Sequence, residues 1–181
     1  MKKLVLVLGM LLLAGSLYAA SDSFTVTVTP TGNRGVIIDS TTYNFSSLDA
    51  NQSKISSESI PVTSTGTVSP LEYTIQGADA ATWTLESDGV VTPSGENKVV
   101  LQAIFQDPNT VPVAGDFGAT DTVTTAAQQV GDTTNFEGTA DMDDMGLLAV
   151  RHLYLRITAP PTTTTEAQQS FTITINAEAA N

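Results

Sequence analysis

Leu147–Asn181 reads LLAVRHLYLRITAPPTTTTEAQQSFTITINAEAAN, and its period settles the class of the fold. In the last run Phe171, Ile173, Ile175 and Ala177 fall on one face, with Thr172, Thr174 and Asn176 on the other. In Arg151–Thr158, Leu153, Leu155 and Ile157 share a face opposite Tyr154, Arg156 and Thr158. Successive strand side chains point to opposite faces, so this period of two marks half-buried strands. Nothing repeats at three and four, which removes the helical reading. A polar connection containing Pro160, Pro161 and Thr162–Thr165 joins the two runs and reads as stiff and solvated.

Working outward, Ser23–Thr29 (SFTVTVT) has nearly the pattern of the closing strand. Strands are expected at Gly35–Asp39, Thr42–Ser46, Ile60–Ser64, Leu71–Gln76 and Thr82–Glu86, with a loop over Leu48–Ser57. Pro61 places its run at a sheet edge or at the start of a strand, because proline cannot donate to the ladder. Asp88-Gly89 signals a hairpin. Lys98–Gln106 (KVVLQAIFQ) is apolar on both faces and reads as a central strand covered on each side. Residues 107–146 are acidic, rich in Gly, Thr and Ala, and sparse in large apolar groups. They read as an elaborated surface insertion, with short strands near Val111–Ala114 and Thr120–Thr125 and a helical turn at Thr125–Val130. The whole pattern predicts an all-β chain, an antiparallel β-sandwich of immunoglobulin-like or jelly-roll type with a long acidic loop insertion.

Residues 1–20 have the form of a secretory signal: Lys2 and Lys3, an apolar run from Leu4 to Leu13, and a small-residue exit at Ser16–Ala20. The run is about ten residues, against roughly 20 needed to cross a bilayer, so no membrane span is expected. Export would leave residues 21–181 as a single domain, secreted to the periplasm, the cell surface or beyond. Without Lys2 and Lys3, five basic residues face nineteen acidic ones, a formal charge of −14. That balance excludes nucleic acid, whose binding depends on Lys and Arg neutralising phosphates. Cysteine is absent, so neither disulfides nor a lipidated cysteine contributes.

His152 is the only histidine, so a Ser-His-Asp triad would have to use it, yet it lies mid-strand far from any nucleophile turn. The same count removes zinc sites built on His or Cys. No catalysis is expected, and no cofactor. The acidic run Asp141, Asp143, Asp144 offers carboxylates on a flexible loop, the ligand set calcium prefers. Met145 and His152 fall where an EF-hand needs ligands, so an irregular calcium loop is the surviving metal reading, with Asp116, Asp121, Asp132 and Glu137 as further donors. Trp83 alternates with Leu85 and reads as core more than as a sugar platform. Asp49-Ala50-Asn51-Gln52-Ser53 fits an acidic-extended sequon, which makes Asn51 a candidate glycosylation site.

On SFTVTVT directly after the leader and IPVTSTGTVSPLEYTI at Ile60–Ile75, the chain resembles secreted bacterial immunoglobulin-like or jelly-roll subunits of surface fibres and surface layers. The resemblance implies a structural subunit that associates with copies of itself. In donor-strand fibres an alternating N-terminal segment completes a neighbour's sheet, and Phe24, Val26 and Val28 stand where such a segment would carry its apolar face. Chaperone–usher pilins usually carry a cysteine pair that is missing here. The rival expectation is a secreted calcium- or glycan-binding β-sandwich module.

Overall fold

A computed structural model of the chain describes Thr27 and residues 32–40, 42–131, 135–136, 138–140, 142 and 145–179. The body from Gly32 onward is almost entirely β, with two short 3-10 turns at Ala114–Asp116 and Ala119–Asp121. Its strands are β1 (Arg34–Ile38), β2 (Ser53–Ile55), β3 (Ile60–Gly66), β4 (Leu71–Ala78), β5 (Thr84–Leu85), β6 (Lys98–Gln106), β7 (Gln128–Val130), β8 (Val150–Thr158) and β9 (Thr172–Ala179).

The larger sheet runs β1-β3-β8-β6-β5, and β2 also pairs with β8, beyond the end of β3. The smaller sheet runs β7-β4-β9. The sheets are mixed and curl into a half-barrel. Pairing is antiparallel except where β5 runs parallel to β6, Thr84 opposite Lys98. This departs from the expected all-antiparallel pairing, for a local reason. Asp88-Gly89 does turn, with Gly89 at φ +79°, but residues 86–97 form a long return instead of a hairpin. A connection of about a dozen residues is what a parallel neighbour requires.

Alternation explains the core. Leu101, Ala103 and Phe105 of β6 and Leu153, Leu155 and Ile157 of β8 meet Leu71, Tyr73 and Ile75 of β4 in one buried cluster. The opposite face of β6 is covered too, as its apolar run predicts: Ile104 packs with Tyr154 and Phe117. Pro61 is the second residue of β3, so its missing donor falls at the start of an interior strand. Gly66, at φ +115°, closes the β1–β3 pair, where a Cβ would lie 2.4 Å from the Asn33 carbonyl oxygen.

The acidic segment 107–146 does more than decorate the surface. Its first part lies over the outer face of the larger sheet: Tyr154 Oη donates to Asn109 Oδ1 (2.6 Å) and Gln102 Nε2 to the Gly118 carbonyl (2.6 Å). Its second part supplies buried Val123, Val130, Phe136, Met142 and Met145 to the core. Strands expected at Val111–Ala114 and Thr120–Thr125 are instead 3-10 turns and irregular chain, while the expected helical turn contains β7. Thr42–Ser46 is irregular, and β2 falls inside the expected loop at Leu48–Ser57.

Candidate functional site

Among the described residues, β1 and β9 end their respective sheets. They approach each other, yet no ladder joins them. Beside the Ile38 end of β1 and the Ile173–Ile175 part of β9 opens a cleft of ≈ 1140 Å³. Ile60, Leu101, Leu153, Leu155 and Ile157 line it from the larger sheet, and Ile173 and Ile175 from the smaller. The alternation of β9 accounts for this lining. Ile175 is buried, while Phe171 and Ile173 are only half-buried because they border the opening.

Two walls flank the apolar floor, and both are fixed by hydrogen bonds. The first is Thr42–Leu48, where Tyr43 and Phe45 pack edge to face with ring centroids 4.8 Å apart. Lys54, reaching from β2, donates to the carbonyls of Phe45 (3.2 Å) and Ser47 (2.6 Å). The Tyr43 hydroxyl accepts from the Ser57 amide (2.7 Å). The second wall is the connection into β9. Gln169 Oε1 accepts from the Thr82 and Trp83 amides (2.9 and 3.2 Å), and Trp83 Nε1 donates to Thr163 Oγ1 (2.9 Å). Asn97 is bonded reciprocally to Thr164, and its amide donates to the Thr162 carbonyl. The threonine-rich connection is thus laced to the body. Trp83 packs half-buried against the core and also lines the cleft. Glu166 is the one charged residue among the described lining.

Among the described residues, those singled out from the sequence are not brought together. Phe24, Val26, Val28, Asp141, Asp143 and Asp144 lie outside the described residues, as do Asp132 and Glu137. Asn51 is exposed in a turn at φ +60°, its amide bonded to the Pro160 carbonyl (3.2 Å). His152 Nδ1 lies 3.2 Å from Ser59 Oγ, and no carboxylate is bonded to that ring among the described residues. Nor do the described residues hold a cluster of three or more His, Asp or Glu placed to hold a metal.

Asp116 is exposed and accepts from the Val113 amide. Asp121 is 3 % exposed and accepts from the amides of Gly118 (2.6 Å) and Phe136 (2.9 Å). Burial pushes its pKa up to about 6 against the pull of those two bonds. It clamps the covering segment to Phe136, which sits buried at φ +61°. Burial likewise raises the Tyr73 phenol.

The seam was missed from sequence. Its residues alternate like any core strand, and only the assembled sheets reveal that they face a space. Among the described residues no helix is long and apolar enough to cross a membrane. No protein-family model and no curated protein matches the chain.

Proposed function

We propose that the chain is a non-catalytic structural subunit of a bacterial extracellular assembly, a filament, pilus-like fibre, sheath or surface layer, which associates with itself through β-strand edges. The observation that carries this reading is the seam: β1 and β9, each paired on one side only among the described residues, lie near an apolar cleft with both walls already tied down. Unpaired backbone groups on an edge are a template for another strand. Edges that must stay monomeric are blunted by Lys, Pro or bulges, whereas the eight residues of β9 carry only Glu178 as a charge. In this reading the two sheets are an incomplete sandwich, closed by an incoming strand.

Export, expected from residues 1–20, fits the same reading. Residues 21–181 run on a sizing column and imaged by negative stain should form ordered polymers or sheets. A monodisperse monomer at every concentration would count against the proposal.

One observation favours glycan binding as a second reading. Tyr43, Phe45, Trp83 and Phe171 all border the same cleft, and aromatic faces are what sugars stack on. Saturable quenching of Trp83 by a soluble oligosaccharide, with the protein remaining monomeric, would favour it.

A further inference from the structure

Beyond self-association, and not dependent on it, we infer that the cleft is a binding site for a lipid: an aliphatic chain laid on its floor, under a head that bears no negative charge. A strand added along a sheet edge pairs backbone and does not fill the space between the sheets. That space is graded in its chemistry by burial. Deepest are Leu101, Leu155, Ile157 and Ile175, all buried, which bring only aliphatic carbon to it. Next come four half-buried rings, Tyr43, Phe45, Trp83 and Phe171. Outermost are Asn44, Gln168 and Ser170, exposed and uncharged.

Each level excludes something. A sugar or a peptide group laid on the aliphatic floor would give up its hydrogen bonds to water without replacement. Methylene groups lose nothing there and gain by leaving water. Size points the same way: pockets for drug-sized ligands measure about 300–1,000 Å³, and at ≈ 1140 Å³ this one has room for a longer molecule. The mouth decides the head. Among the described lining residues there is no Lys, Arg or His, and the one charge, exposed Glu166, is negative. A carboxylate or phosphate head would meet that like charge and no counter-charge, in a chain of formal charge −12. Hydroxyl, ester and amide heads can share hydrogen bonds with Asn44, Gln168 and Ser170. Both walls are fixed from within the protein, by Lys54 on one side and Gln169 on the other, so binding costs little ordering.

Trp83, the only tryptophan, lines the cleft and supplies the readout. Residues 21–181 are titrated at neutral pH with phenyl-naphthylamine, an uncharged dye that brightens in apolar surroundings and accepts energy from tryptophan. The expected result is saturable binding with energy transfer from Trp83. Decanol should displace the dye, decanoate should do so several-fold less well, and a soluble oligosaccharide not at all. Glu166→Lys, an exposed change, should narrow the gap between alcohol and carboxylate. Ile173→Phe, which fills part of the floor, should weaken the dye several-fold with an unchanged melting curve. Ala167→Phe, at the exposed mouth, repeats that test should the first variant fold poorly. No saturable binding, or binding without energy transfer from Trp83, overturns the inference. So does displacement by the oligosaccharide but not by decanol, which would give the cleft to sugars. Decanoate displacing the dye as well as decanol does would overturn it too. Self-association is read separately, on the sizing column, and stands or falls apart from these outcomes.

Discussion

Asp121 shows how a single side chain holds a loop to a sheet. Its two carboxylate oxygens satisfy the Gly118 and Phe136 amides, and its pKa stands at about 6 against an ordinary 3.8. An acid whose pKa is higher folded than unfolded binds its proton more tightly in the folded state. Its contribution is therefore most favourable below pH 4, declines as pH rises, and is fully lost above about pH 6. A shift of this size corresponds to a few kcal/mol at most. Asp121→Asn cannot accept both amides, so it should destabilise by about 1–3 kcal/mol. The difference in stability between wild type and variant should change across pH 4–6 and stay flat above pH 7. Denaturant melts at several pH values check this; a difference independent of pH would mean that Asp121 does not titrate as described.

At the scale of elements, the walls of the cleft owe their shape to a few side chains bonding to backbone. Lys54→Met keeps the aliphatic stem but removes both donors to Thr42–Leu48. A loss of about 1–3 kcal/mol is expected, since hydrogen bonds from charged donors carry about that much. Gln169→Ala frees the Thr82 and Trp83 amides and should loosen the other wall. Its readout is the emission of Trp83, the only tryptophan, which should shift to the red. An unchanged spectrum would show that the wall stands without Gln169.

Strands β4, β6, β8 and β9 were legible from alternation, because each buries a face large enough to impose the period. Residues 107–146 were not. Phe136, Met142 and Met145 enter the core singly, held by partners distant in sequence such as the Leu71 backbone, which bonds Met145, and no local pattern announces them. Nor was the parallel β5 legible, since Asp88-Gly89 turns but β6 begins only at Lys98, nine residues after Gly89. The cleft was invisible for a different reason: unfilled space belongs to the assembled sheets, not to any one residue.

For the whole molecule, the two sheets approach each other at β1 and β9 without a ladder between them. There, among the described residues, β1 pairs only with β3 and β9 only with β4, and Ile173 is left half-buried. A chain this acidic gains little from non-specific association, because like charges repel, so contact between copies should depend on that seam. Ile173→Asp tests this directly. The monomer should tolerate the change, because the side chain borders the opening, whereas an incoming strand would have to bury a charge. The decisive measurement is sedimentation velocity of mature wild type and Ile173→Asp side by side, with equal melting curves as the control for folding. The expected result is large, concentration-dependent species for wild type and a single monomer boundary for the variant. Equal assembly of both, or a monomer boundary for both, would contradict the role assigned to the seam.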